Sequence, residues 1–145
     1  MTERKPKRRK HSLASRWGLW LRTRRAVRDP DYGRGMLSAF EARIGGEMPP
    51  SEAVDDLILV ACDDVYFRKF GLSLLSSMQR DGDMPALHIH LLNPSEETIE
   101  HAALLRERHK RLSFTTDDCR DSHPSSNISF YYTAARFILA PILLR

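Results

Sequence analysis

The chain has 145 residues, a length that suits a single domain with one hydrophobic core. Its net charge of +4 is concentrated at the start, because residues 1–28 hold 11 Lys or Arg and one acid, whereas the remainder is mildly acidic. The composition argues against a disulfide framework, since there are only two cysteines, and no apolar run approaches the roughly 20 residues of a membrane span. We therefore expect a reduced, cytoplasmic setting.

The basic start of the chain has two parts. Residues 2–10 are a block of like charges, which predicts a disordered tail. In residues 12–28, arginines surround four apolar side chains that share one face of a predicted helix: Leu13, Trp17, Trp20 and Leu21. Such a helix suits a peripheral contact with the inner face of a membrane, although it could also dock on its own domain or stay solvated. We predict no nucleic-acid binding, because no recognisable module accompanies the basic run.

Residues 29–53 are rich in proline, glycine and acids, which predicts a linker between the basic segment and the folded domain. Within this linker, Met36 to Ile44 could form one short helix. The folded domain is then expected to occupy residues 54–145.

The domain is organised around an apolar run, residues 57–62, which predicts a strand buried on both faces. It ends in Asp63 and Asp64, at the sheet edge where open α/β folds bind ligands. The turn has no glycine, which argues against a dinucleotide or P-loop phosphate site. Two carboxylates suit a base edge, a ribose hydroxyl or a metal instead. Either acid could also simply cap the helix predicted for residues 65–80.

The remaining pattern predicts two more strands and two more helices. Residues 87–92 form the second strand, in which His88 and His90 share a face. They lack a spaced third metal ligand, so we interpret them as structural. Ser95 caps a helix that runs to about residue 109, and residues 112–116 form the third strand.

A second acid pair, Asp117 and Asp118, follows the third strand. The last helix spans Ile128 to Leu139, begins after Ser126 or Asn127, and is kinked or stopped by Pro141. The order is therefore βαβαβα, with parallel strands and right-handed crossovers.

Three segments together resemble the retaining glycosyltransferases of family eight, the glycogenin-like and bacterial lipopolysaccharide enzymes with the GT-A fold. Val60–Tyr66 is similar to the family's apolar strand ending in Ala-Ala-Asp-Asp-x-Tyr, and Leu87–Asn93 is similar to its second strand. Asn127–Phe137 is similar to the helix Ile-Ser-x-x-x-Tyr-x-Arg-Leu, with one residue more between Ser and Arg. The resemblance implies the nucleotide-binding half of a three-layer, Rossmann-like domain, incomplete at its C-terminus.

The resemblance also implies roles for individual residues in binding a UDP-sugar. Ala61, Cys62 and Asp63 would face the uracil, with Asp63 accepting from the base N–H. Tyr66 would stack near the base, and Asp117 would stand near the nucleotide. Arg136 would pair with the pyrophosphate or sugar hydroxyls, unless it is a surface or Asp-paired arginine.

The family's Mn²⁺ or Mg²⁺ is held by an Asp-x-Asp on the following strand, which would lie beyond Leu144, so its ligands are absent from this chain. We therefore assign no metal and no catalytic residue, and expect this polypeptide alone to be inactive. The predicted function is the UDP-sugar-binding half of an enzyme that transfers a hexose to a glycan or lipopolysaccharide acceptor. The alternatives are a non-catalytic α/β interaction module anchored by the basic helix and, ranked last, a response-regulator-like domain.

Overall fold

A computed structural model describes residues 13–50, 56–79, 85–119 and 128–143. Two helices and a short strand precede the first long strand, and helices and strands then alternate. In chain order the elements are α1 (Leu13–Arg28), α2 (Pro30–Glu41), β1 (Gly45–Gly46), β2 (Leu57–Asp63), α3 (Asp64–Tyr66), a π-helical turn (Phe67–Gly71), α4 (Leu72–Gln79), β3 (Ala86–Leu92), α5 (Glu96–Arg108), β4 (Leu112–Asp117) and α6 (Ile128–Leu143).

The four strands form one mixed sheet in the order β1-β4-β3-β2. β2, β3 and β4 are parallel, which confirms the three predicted strands and the α/β class, whereas β1 pairs antiparallel with β4. The prediction that residues 57–62 are buried on both faces is wrong. Among the described strands β2 pairs on one side only, and Ile58 remains 39% exposed. The fully buried strand is β3, because it lies between two parallel neighbours.

Side chains alternate between the two faces of the sheet, and each face has its own core. On one face, α4, α5 and the π-helical turn pack on Leu87, Ile89 and Leu91 through Phe67, Leu75 and Ala102. On the other, α2 and α6 pack on Leu92 through the cluster Phe40, Tyr131, Ala135 and Leu139. The sheet therefore has helices on both faces.

The stretch interpreted as a linker is part of the folded unit over residues 29–50; residues 51–53 lie outside the described ranges. Asp29 caps α2 by accepting from the backbone N–H groups of Asp31 and Tyr32, with Pro30 in the first turn. Phe40, near the end of α2, is 5% exposed in the core. Gly46 then pairs with Thr115 of β4. In this stretch Pro30 starts a helix, and Gly46 permits close pairing of two strands.

Two helix ends test the predictions directly. Ser95 caps α5 as predicted, because its hydroxyl accepts from the backbone N–H of Thr98 at 3.3 Å. The predicted end of the last helix at Leu139 is wrong. Pro141 does not stop the helix, because α6 continues to Leu143. The proposed caps Ser126 and Asn127 lie outside the described ranges.

Candidate functional site

The carboxyl ends of the three parallel strands place two acids at the same level of the sheet. Asp63 of β2 pairs in register with Leu92 of β3, and Leu92 pairs with Asp117 of β4. The two acids are therefore two strand spacings apart, about 10 Å. Register partners on parallel strands point to the same face, so both acids share the face covered by α6. The prediction that Asp63 and Asp117 lie at the same edge of the sheet is therefore confirmed.

Asp63 caps the helix that follows it. Its Oδ1 accepts from the backbone N–H of Tyr66 at 3.0 Å. The alternative that one of the two acids caps this helix therefore applies to Asp63. Because a carboxylate can accept about four hydrogen bonds, the cap leaves Asp63 able to bind a further donor.

Asp64 instead ties β2 to the start of α5. Its Oδ1 accepts from the backbone N–H of Ser95 at 3.0 Å, and its Oδ2 lies 3.5 Å from the guanidinium of Arg68. Burial opposes ionisation, but the hydrogen bonds from Ser95 and Thr98 and the charge of Arg68 outweigh it and lower the pKa of Asp64. Asp64 thus has a structural role as an ionised connector.

Asp117 is fully buried and is bound by two side chains. The hydroxyl of Tyr131 donates to its Oδ2, and Nη2 of Arg43 lies 3.3 Å from the same oxygen. Arg43 also donates to the Tyr131 hydroxyl oxygen at 3.2 Å. Among the described residues, none donates to Asp117 Oδ1. A buried carboxylate oxygen without a donor is costly, so this atom has capacity for a ligand or water.

Burial and Asp117 also set the protonation states in this cluster. Burial, followed by the hydrogen bond to Asp117, raises the pKa of Tyr131 well above its ordinary value. For Arg43, burial opposes the charged form, but the hydrogen bond and charge of Asp117 raise its pKa. Arg43 is therefore a permanent cation at the edge of the site, with its side chain 34% exposed.

The sequence analysis did not indicate Arg43 as part of this cluster. It lies in the stretch interpreted as a linker, and no motif marks it. The antiparallel pairing of β1 with β4 brings the preceding residues beside Asp117, which no short-range pattern indicates.

Asn93 fixes the shape of this edge and was also missed. Its backbone is in the left-handed region with φ of 49°, which asparagine tolerates better than most residues. Its side chain donates to the Tyr132 hydroxyl at 2.7 Å and accepts from the backbone N–H of Cys119 at 2.8 Å. Asn93 therefore ties the end of β3 to α6 and to the chain after β4.

The two residues before Asp63 lie on opposite faces. Ala61 packs with the core under α6, whereas Cys62 packs with the core under α4 and α5. Burial, and then the neighbouring carboxylate of Asp63, raise the pKa of Cys62 to about 12. Cys62 is thus a neutral thiol, and the two side chains do not present one surface together.

Tyr66 and Arg136 are both exposed. Tyr66 is 61% exposed, and its ring lies 5.5 Å from that of Phe70. The guanidinium of Arg136 lies 5.0 Å from the ring centroid of its neighbour Phe137 on the outer side of α6. Within the described residues, the cation that contacts Asp117 is Arg43, whereas Arg136 contacts Phe137.

His88 and His90 form a buried hydrogen-bonded line beneath α6. The Thr115 hydroxyl lies 2.9 Å from Nε2 of His88 and 2.9 Å from Nδ1 of His90, and Ser113 lies 2.8 Å from Nδ1 of His88. Because Thr115 has one hydroxyl proton, it donates to one ring and accepts from the other. Burial lowers the pKa of both histidines to about 4, so both are neutral near pH 7.

The structural interpretation of these histidines agrees with that network. Nε2 of His90 is buried and has no hydrogen-bond partner among the described residues. Over the same ranges, no group of three or more His, Cys, Asp or Glu is arranged to hold a metal ion.

Comparisons of the chain with protein-family models, with curated proteins and with solved structures found no match. The family resemblance therefore rests on the three sequence segments alone. Two of these segments cover the ends of the neighbouring strands β2 and β3. The third overlaps α6, whose Tyr131 and Tyr132 contact Asp117 and Asn93 at that edge.

Proposed function

We propose that this chain is the UDP-sugar-binding half of a glycosyltransferase that transfers a hexose to a glycan or lipopolysaccharide acceptor, with a Rossmann-like nucleotide site at the carboxyl edge of its sheet. The observation that carries the proposal is the register of Asp63, Leu92 and Asp117, which aligns two acids at the edge of three parallel strands. Ligands in open α/β sheets bind outside this edge.

Asp63 is proposed to recognise the base. One of its oxygens already accepts from the Tyr66 backbone, which fixes the carboxylate in one orientation. The remaining lone pairs can accept the imide N–H of uracil, a donor that cytosine lacks. A preoriented acceptor of this kind distinguishes bases because an analogue without the donor leaves a polar group unpaired.

Tyr66 is proposed to stack on the base. It follows Asp63 by three residues on the same turn. Its ring is 61% exposed, so a base can stack on it. Stacking of a base on an aromatic side chain contributes about 1–3 kcal/mol. The combination of one acceptor and one stacking ring matches a pyrimidine nucleoside.

The diphosphate requires a cation, because the carboxylates at this edge would repel it. Arg43 is one candidate, since Asp117 and Tyr131 hold its partly exposed guanidinium at the edge. Arg136 is the other candidate, from the family resemblance. Bidentate arginines suit phosphate oxygens in geometry and charge.

Transfer itself is proposed to require a divalent ion in addition to the nucleotide site. The divalent ion expected for the family neutralises the departing diphosphate, and its Asp-x-Asp is expected on a strand beyond residue 144. We therefore predict nucleotide binding without turnover.

Isothermal titration with UDP tests the proposal. We expect UDP to bind measurably and ADP to bind at least about tenfold more weakly, because adenine presents no imide donor to Asp63. Asp63→Asn should weaken UDP binding at least about tenfold, while asparagine keeps the helix cap. Asp29→Asn is the matched control, because it changes the capping acid of α2 in the same way. Equal affinity for UDP in Asp63→Asn and wild type would refute the assignment.

The same titration distinguishes the two candidate cations. The gain in affinity from uridine to UDP measures the diphosphate contribution. If Arg43 binds the diphosphate, Arg43→Gln abolishes that gain and Arg136→Gln preserves it. The opposite result assigns the diphosphate to Arg136, as the family resemblance implies.

A further inference from the structure

The outward face of α1 carries large apolar side chains that no other described element covers. Trp17 is 62% exposed, Trp20 is 49% exposed and Leu21 is 54% exposed. At 100° per residue, Arg24 and Arg28 fall on the same side of the helix as these three residues. We call this set, Trp17, Trp20, Leu21, Arg24 and Arg28, the tryptophan face.

The C-terminal end of α1 is held against α2 by contacts of Arg25 and Ala26. The guanidinium of Arg25 lies 4.4 Å from the ring centroid of Tyr32 and 3.9 Å from the carboxylate of Asp29. The two helices also approach closely at Gly33, where a Cβ would come within 3.2 Å of the Ala26 carbonyl oxygen. The helix therefore contacts α2 near its C-terminal end, and Trp17 and Trp20, earlier in the helix, remain exposed.

The rings of the tryptophan face are ordered by contacts within the face. Trp17 and Trp20 pack edge to face with centroids 5.4 Å apart, and the guanidinium of Arg24 lies 5.1 Å from the Trp20 ring centroid. Tryptophan and arginine together combine an apolar body, a polar edge and a positive charge. Side chains of this kind are enriched where a surface meets the interfacial region of a bilayer.

We propose that the tryptophan face docks the chain on an anionic lipid surface, with α1 lying in the plane of the interface. Charge complementarity carries the choice of partner, because residues 1–28 hold 11 Lys or Arg and one acid. The half-exposed tryptophans favour lipid over nucleic acid, because the apolar layer of a bilayer would cover their rings. Like charges on the face disfavour a second copy of the same face as its occupant. None of the described helices has the length and apolar content that crossing a bilayer requires.

The chain contains only two tryptophans, and both lie on this face. Tryptophan fluorescence of the full chain therefore reports on the proposed contact directly. We expect a blue shift and co-sedimentation with vesicles of phosphatidylcholine containing one third phosphatidylglycerol. Vesicles of phosphatidylcholine alone should give neither, and high salt should release the bound protein.

Two variants separate the apolar and charged contributions. Trp17→Ala with Trp20→Ala should weaken co-sedimentation at least about tenfold, because it removes the inserted rings. Arg24→Glu with Arg28→Glu should weaken binding at least about twentyfold and abolish the blue shift, since each arginine near an anionic surface contributes about fivefold. Phe137→Ala and Arg108→Glu are matched controls on α6 and α5, and both should bind as wild type.

Three results would overturn the proposal. The first is wild-type vesicle binding by the tryptophan or arginine double variant. The second is tighter binding to duplex DNA or RNA than to the anionic vesicles at the same salt concentration. The third is self-association that the tryptophan variant abolishes, without any binding to vesicles. The proposal stands independently of nucleotide binding, because none of these readouts involves UDP.

Discussion

Arg43 lies against Asp117, with Nη2 3.3 Å from Oδ2, although 74 residues separate them in the sequence. The contact joins the end of α2 to the end of β4 on the face covered by α6. It brings a cation to a carboxylate that is fully buried. The pair therefore links the early part of the chain to the proposed nucleotide edge.

Removing Arg43 should destabilise the fold. In Arg43→Ala the buried carboxylate keeps Tyr131 as a donor but loses its cation, which we expect to lower the free energy of unfolding by about 1–2 kcal/mol. The value is reduced by solvent screening, because the arginine side chain is 34% exposed. Urea denaturation measures the change.

Arg34→Ala is the matched control, because Arg34 also comes from this part of the chain but pairs with the exposed Asp31. We expect its effect to stay within about 0.5 kcal/mol. Equal stability of the Arg43 and Arg34 variants would show that the Arg43–Asp117 contact contributes nothing to folding.

The pairing of β1 with β4 can be tested at one glycine. Gly46 has φ of +87°, and a Cβ there would come within 2.5 Å of the Phe114 carbonyl oxygen. Gly46→Ala should therefore lower the free energy of unfolding by about 1–3 kcal/mol. Thermal or urea unfolding measures this loss.

Gly35→Ala is the control for that substitution. Gly35 lies within α2, and a Cβ there meets no atom within 4 Å. Alanine should stabilise the helix there by about 0.5–1 kcal/mol. If both substitutions change the free energy of unfolding in the same direction, β1 is not a fixed part of the fold.

The predictable part of the fold depended on local patterns. The β3 alternation, the Ser95 cap and the acids that end β2 and β4 are all readable within a few residues. The segment before β2 was misinterpreted because proline and glycine have two uses. Pro30 opens a helix and Gly46 permits a close strand approach, yet the same residue types also mark linkers.

The buried histidines should make the fold sensitive to acid. Their pKa is near 6.5 in the unfolded chain and about 4 in the folded protein, so the unfolded state binds more protons between these values. Stability is therefore full above pH 6.5 and falls as the pH decreases toward 4. For His88 and His90 together we expect a loss of about 2–4 kcal/mol between pH 7 and pH 5.

Two measurements check this dependence. Urea midpoints from pH 7 to pH 5 should fall in the wild type and in His101→Gln, which changes a half-buried histidine on α5. His90→Asn should show a weaker dependence. In the folded wild-type protein, NMR signals of the His88 and His90 rings should not titrate above pH 5. Titration of either ring near pH 6.5 would contradict the account.

The proposed site was only partly predictable. The strand-end acids were placed correctly at one edge because parallel strands in register deliver their last residues to the same level. The cation beside Asp117 was not, because sequence motifs favoured Arg136 on α6. Strand pairing across a long stretch of chain brought Arg43 there instead, and such contacts leave no local signature.

The central claim is that the carboxyl edge of the three parallel strands binds a uridine nucleotide, with Asp63 as the acceptor for the base and Asp117 buried behind it. An amide NMR titration of the chain with UDP tests it most directly. We predict saturable shifts at residues 61–66, at Leu92 and Asn93, and at 117–119, which belong to the ends of the three parallel strands. Absence of saturable shifts, or shifts confined to α1 or α5, would contradict the claim.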